Sequence, residues 1–133
     1  MPFNDLMFDD NGNPKSSDYL YMDGSEILNY TLDYFPPLIK DTLLKNNLEL
    51  DDIDLFVFHQ ANKFIMELLR KKLRIEDHKF YRFFENIGNT VSSTIPIAMK
   101  EAINEGRLND KSNVLIAAPG LGYSWAGAVI KII

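Results

Sequence analysis

Leu55-Phe56-Val57-Phe58 constrains this chain more than any other stretch: four apolar residues in succession, with Asp51, Asp52 and Asp54 ahead of them and His59-Gln60 directly behind. A short continuous apolar run bounded by polar residues reads as a strand buried on both faces, the pattern of a parallel sheet covered by helices. The end of such a strand presents polar side chains where the chain turns into the next helix. From Ala61 to Leu73, Phe64, Ile65, Leu68, Leu69 and Leu73 recur at helical spacing, and Arg70, Lys71, Lys72 and Arg74 sit where cations suit a helix C-terminus.

The remaining segments extend this strand-and-helix alternation. Residues 1–18 carry Asp, Asn, Pro and Ser around the turn-forming Asp10-Asn11-Gly12-Asn13-Pro14 and are expected to be irregular. A short strand is expected from Tyr19 to Met22, followed by a cap at Asp23-Gly24-Ser25-Glu26 and a helix. Pro36-Pro37 is expected to break or kink that helix, with a second helix running to about Asn47. Lys79 to Phe84 alternates weakly as a strand. Thr90 to Glu105 reads as a helix stopped at Gly106, with Pro96 in its first turns. Asn113 to Ala118 and Trp125 to Ile132 close the chain as two strands whose short Gly-containing loop favours antiparallel pairing. The whole is an α/β layered domain with a mostly parallel sheet.

At 133 residues the chain has the size of one domain. Its net charge of −5 opposes global attraction to nucleic acid or anionic lipid, and it has no apolar run of about 20 residues to span a bilayer. With no basic and apolar leader either, the cytoplasm is the expected compartment. The absence of cysteine removes disulfides, thiolate metal sites and thiol nucleophiles together.

Ligands of open α/β sheets bind beyond the carboxyl ends of the strands, which singles out His59-Gln60-Ala61-Asn62, Asn86 to Thr90 and Gly120 to Trp125. A histidine and an asparagine amide at neighbouring strand ends can converge as hydrogen-bond donors on an oxyanion or enolate. Each alone is equally read as a structural hydrogen bond or a turn. Gly120 to Gly122 permits close backbone approach but lacks the spacing of a dinucleotide or phosphate loop, and it leads into a strand. His59 and His78 have no carboxylates at ligand spacing, so no metal is expected, and no Gly-x-Ser-x-Gly elbow supports a serine triad. Lys63, Arg70, Lys71, Lys72 and Arg74 form a basic cluster that reads as a solvated helix face or as a dock for an acidic partner.

Taken in order, Tyr19-Leu20-Tyr21-Met22-Asp23-Gly24-Ser25-Glu26-Ile27, Asp52-Ile53-Asp54, His59-Gln60-Ala61-Asn62, Gly88-Asn89-Thr90 and the terminal Gly-rich loop resemble the C-terminal region of β-ketoacyl-acyl-carrier-protein synthase III, in the thiolase-like fold group. The resemblance implies a thiolase-like half domain over 19–133, a mixed, mostly parallel sheet with flanking helices that lacks its first strand. It implies an acyltransferase of fatty acid biosynthesis, in which an acyl group passes from coenzyme A to a cysteine and condenses with malonyl-acyl-carrier protein, without a cofactor. That cysteine would come from an N-terminal half, leaving this chain inactive alone.

By the same resemblance His59 and Asn89 hold the malonyl thioester enolate, and backbone amides at Gly120 and Leu121 serve the oxyanion hole. Lys63, Arg70, Lys71 and Lys72 meet acyl-carrier protein. Leu121 stands where many relatives carry glycine, and Phe64 where many carry arginine. A homodimer is expected, because an incomplete sheet leaves apolar surface uncovered. Two other readings stay open: a non-catalytic carrier-binding module, and a related thiolase-like synthase of polyketide or pigment type.

Overall fold

The computed structural model describes residues 6–16, 22–120 and 122–133. At the centre of the chain, β3 (Leu55–Phe58) is buried along its whole length. Its side chains alternate between two cores: Phe56 and Phe58 join one with Phe35, Ile39, Met66 and Phe80, while Leu55 and Val57 join the other with Tyr81, Ala98, Ala102 and Val114. The period of two thus sends successive residues to opposite helix layers, which is why no residue of the run is polar.

β3 pairs in parallel with β4 (Asn113–Gly120), Leu55 opposite Val114 and Phe58 opposite Ala117. β4 then pairs antiparallel with β5 (Ser124–Lys131), from Asn113 opposite Lys131 to Gly120 opposite Ser124, giving the mixed order β3-β4-β5. Gly122 (φ 70°) and Tyr123 (φ 53°) adopt the left-handed conformation that closes this hairpin. Their place beside residue 121 makes the connection three residues long, as the antiparallel expectation requires.

One face of the sheet is covered by α1 (Gly24–Lys45) and α2 (Lys63–Lys72). Asp23 caps α1 by accepting from the Ser25 and Glu26 amides at 3.1 and 3.0 Å. The helix runs unbroken through Pro36 and Pro37, contrary to the two helices expected. Each proline removes a backbone bond. The buried stripe of Thr31, Phe35, Ile39, Thr42 and Leu43 continues on both sides of the pair, however, and burying each large side chain stabilises by about 1.5–3 kcal/mol. Tertiary packing therefore holds what propensity opposes. A Cβ at Gly127 would come within 2.6 Å of Thr42 Oγ1, so glycine there lets α1 lie directly on β5.

α4 (Thr94–Asn104) covers the other face. It is preceded by a 3-10 turn over Val91–Ser93, so the helix expected from Thr90 is two structures in sequence. Gly106 (φ 69°) follows it, with its amide bonded to the Ile103 carbonyl, as the C-terminal stop requires. The strand expected over Lys79 to Phe84 reduces to a single parallel bridge, Phe56 with Phe80, because the Asp77–Lys79 turn precedes it and the short helix α3 (Phe84–Ile87) follows at once. Within the segment expected to be irregular, β1 (Met7–Phe8) and β2 (Pro14–Lys15) form a small hairpin around Gly12. The strand expected from Tyr19 to Met22 involves residues 19–21, which lie outside the described residues. No helix among the described residues is long and apolar enough to cross a membrane.

Candidate active site

His59 follows β3 immediately, and its amide donates to the Ala117 carbonyl of β4 at 2.9 Å, so the strand pairing itself sets where the imidazole starts. Gln60, fully buried, secures the next step. Its Nε2 donates to the Phe58 carbonyl at 2.7 Å while its Oε1 accepts the Phe83 amide at 2.8 Å, tying the residue 80–83 segment to the strand end. Asn62 then caps α2 by accepting the Ile65 amide at 3.0 Å. The motif His59-Gln60-Ala61-Asn62 therefore combines one half-buried imidazole with two residues that shape the backbone around it.

The imidazole meets a second element 35 residues away. His59 Nδ1 lies 2.7 Å from Oγ1 of Thr94, the first residue of α4, which is 1% exposed. Burial holds the His59 pKa below its ordinary value, and the nearby Val91 carbonyl opposes that effect only in part. A neutral ring suits a donor in a site where negative charge develops. The Thr94 hydroxyl is also 3.0 Å from the Val91 carbonyl.

Asn89 attaches to the same turn. Its Oδ1 accepts the Val91 amide at 2.9 Å, which leaves the Nδ2 end as the one able to donate to a ligand. Gly88 (φ 65°) caps α3 and swings the chain into this turn, a conformation that glycine adopts without strain. Val91 itself sits at φ 55°, unusual for a β-branched residue, and strain of this kind costs on the order of 1–3 kcal/mol. The turn Val91 to Thr94 is thus the common anchor of both candidate donors, one held through Nδ1 and the other through Oδ1.

Gly120 ends β4 on the carboxyl side of the sheet, as β3 does at His59. A Cβ there would meet Ser124 Oγ, which would have to rotate aside, so glycine lets the hairpin cross closely with the serine in its present position. The amide expected from Leu121 lies outside the described residues. Lys63, Lys71 and Lys72 are exposed on α2, and Phe64 is 64% exposed beside Lys63.

Arg70 differs from these lysines. It turns inward to Glu67 at 3.1 Å and the Ile75 carbonyl at 3.1 Å, with Asp77 at 3.5 Å. Arg82 joins the same cluster, reaching Asp77 at 2.7 Å. Burial works to raise the Glu67 pKa, but hydrogen bonds from Arg82 and Arg70 outweigh it and hold the carboxyl below the ordinary range. The surface hollow of about 410 Å³ lined by Asp77, His78, Arg82, Glu105 and Arg107 shares no residue with the His59 turn. Among the described residues no three His, Cys, Asp or Glu are grouped to hold a metal ion.

Sequence reasoning did not single out Thr94, and it named Gln60 only within its motif, with no role. Thr94 reads as an ordinary first-turn residue, since nothing in its own neighbourhood points to a histidine so distant in the chain. Gln60 was detectable in principle as a carboxamide directly behind a fully apolar strand.

Residues 43–132 match the family model described as 3-Oxoacyl-[acyl-carrier-protein (ACP)] synthase III C terminal. Over 121 residues, 91% of its length, the chain is 37% identical to the beta-ketoacyl-[acyl-carrier-protein] synthase III of Clostridium perfringens, and it covers 37% of that protein. It is 39% identical to the enzyme of the same name from Clostridium tetani, covering 85% of this chain and 34% of the relative. The chain therefore spans little more than a third of the length of these relatives. A crystal structure of a 3-oxoacyl-(acyl-carrier-protein) synthase III superposes with a TM-score of 0.90 at 36% identity, covering 98% of this chain and 39% of the other. The corresponding structure from Thermus thermophilus gives a TM-score of 0.82 at 30% identity, covering 96% and 41%.

Proposed function

The chain belongs to the family of the 3-oxoacyl-[acyl-carrier-protein] synthase III C-terminal domain, and from that premise we propose that it is the enolate-holding part of a decarboxylating condensing enzyme of fatty acid synthesis. His59 and Asn89 donate from Nε2 and Nδ2 to the carbonyl oxygen of a malonyl thioester. As carbon dioxide leaves, the electron pair of the breaking carbon–carbon bond moves into the enolate, and the two donors stabilise the charge on its oxygen. The enolate carbon then attacks the acyl thioester on a cysteine supplied by an N-terminal region outside this sequence, and the C–S bond of the resulting tetrahedral adduct breaks to release the cysteine thiolate and the 3-oxoacyl product. Amides at Gly120 and Leu121 receive the second oxyanion.

The observation that carries this reading is the shared turn: Nδ1 of His59 and Oδ1 of Asn89 are both engaged at residues 91–94, so the Nε2 and Nδ2 ends are the ones left to meet a ligand. The lowered pKa of His59 keeps the ring neutral at the pH of the cytoplasm, where we place the enzyme. Acyl-carrier protein docks on Lys63, Lys71 and Lys72, with Arg70 supporting the helix from beneath. The whole enzyme uses coenzyme A and malonyl thioesters and assembles as a homodimer.

A chimera in which this chain replaces the matching C-terminal part of the Clostridium perfringens enzyme tests the assignment. Malonyl-acyl-carrier-protein decarboxylation is expected to fall by about a hundredfold or more in His59→Ala, the scale of losing one oxyanion donor. Asn89→Ala is expected to lose a comparable factor. A His59→Ala chimera that keeps the full rate removes His59 from the mechanism.

A further inference from the structure

We infer that Thr94 is a positioning residue for His59, donating its one hydroxyl proton to Nδ1 and so fixing the neutral imidazole as the tautomer that carries its proton on Nε2. Thr94 is buried, its Oγ1 is 2.7 Å from Nδ1 and 3.0 Å from the Val91 carbonyl, and a hydroxyl has one proton for these two neighbours. If the proton went to the carbonyl, Nδ1 would have to carry its own proton and donate to Oγ1, leaving Nε2 bare.

Two observations decide between the arrangements. The Val91 carbonyl already accepts the Thr94 backbone amide, which closes the 3-10 turn, so it keeps a partner when the hydroxyl turns away. Nδ1, by contrast, has no other side-chain hydrogen bond among the described residues, the Val91 carbonyl near the ring being one that the Thr94 amide already serves, and a basic imidazole nitrogen is the stronger acceptor at the shorter distance. The arrangement with the hydroxyl on Nδ1 satisfies both acceptors, whereas the alternative gives the carbonyl two donors. The tautomer follows from this local geometry alone. Its catalytic consequence, an Nε2–H ready to donate to the enolate, rests on the function proposed above.

Long-range proton–nitrogen correlation spectra of the isotope-labelled chain read the tautomer directly. They are taken at about pH 8, above the ordinary histidine range, and His78→Gln assigns the pair, since the chain has 2 histidines. In the unsubstituted chain Nδ1 is expected to show the pyridine-like shift and Nε2 the protonated one. Thr94→Ser is expected to keep that pattern, and Thr94→Val to reverse it, because Nδ1 then has only the Val91 carbonyl to face. A pyridine-like Nε2 in the unsubstituted chain overturns the inference whether or not the valine variant folds, as does an unchanged pattern in a folded Thr94→Val chain. The readout is independent of turnover. A bare Nε2 together with loss of decarboxylation in the His59→Ala chimera overturns the role of Thr94 and leaves His59 in the site; an intact Nε2–H with full His59→Ala activity does the reverse.

Discussion

Two polar clusters stand on either side of the strand end that follows Phe58, and they are built on opposite principles. Around His59 the bonds are few and largely neutral: Gln60 to Phe58 and Phe83, Thr94 to Nδ1, Asn89 to the Val91 amide. Around Arg82 they are charged, redundant and partly exposed: Glu67 meets both Arg70 and Arg82, and Asp77 meets the same two cations. The first cluster positions the two candidate donors, His59 and Asn89. The second joins α2 to the Asp77–Lys79 turn and leaves no carboxylate or guanidinium without a counter-charge. Between these two clusters formal charge marks scaffolding, and the candidate chemistry sits where charge is scarce.

The contrast is sharpest in what each cluster tolerates. Gln60→Leu keeps the volume but strips the Phe83 amide and the Phe58 carbonyl of a buried partner, and is expected to lower the unfolding free energy by about 3 kcal/mol, since each unsatisfied buried group costs about 1–3 kcal/mol. Urea denaturation measures this as a drop in midpoint at constant slope. Glu67→Gln, which removes one carboxylate from between two guanidinium groups, is expected to cost only about 1 kcal/mol, because its side chain is 28% exposed and Asp77 remains. Its effect should shrink as salt is added, whereas the Gln60 effect should not. If the two variants lose equal stability at every salt concentration, the distinction drawn between the clusters is lost.

A smaller effect separates them by pH. His59 has a folded pKa below its ordinary value of 6.5, chiefly through burial, so the unfolded chain takes up that proton first as pH falls. Stability is therefore expected to decline from about pH 7.5 downward, through the ordinary histidine range, and to level off once the folded chain is protonated too. Glu67 and Asp77, whose carboxyls are also held low, act in the same direction but in a more acidic window. Their stabilisation is complete above the ordinary carboxylate range and is lost as pH drops below it. His59→Gln should flatten the neutral limb of the stability curve and leave the acidic limb in place, as unfolding titrations at a series of pH values would reveal.

Much of this arrangement was legible in the residues. Leu55 to Phe58 announced a strand buried on both faces, and its end delivered His59 to the side of the sheet where ligands bind. The helix after Ala61, the stop at Gly106 and the antiparallel hairpin across residues 121–123 were equally local matters of period, capping and turn chemistry. The prolines of α1 were misleading for a clear reason. Propensity weighs a residue by its own backbone, while Phe35 and Ile39 on either side are held by the core against Phe58 and its neighbours. Lys79 to Phe84 likewise carries a strand-like pattern that only one bridge realises.

What the chain of residues determined by itself was the set of pieces and the two candidate donors at their ends, because hydrophobic period and turn chemistry act over a few residues at a time. Which atoms of those donors are engaged was decided only by the tertiary structure. Thr94 meets His59 across 35 residues, Gln60 holds a segment 23 residues on, and Arg70 leaves the row of lysines to face Glu67 and Asp77. Hydrogen bonds and ion pairs are short-ranged and directional. Their partners are set by how the layers pack, and no local pattern encodes that.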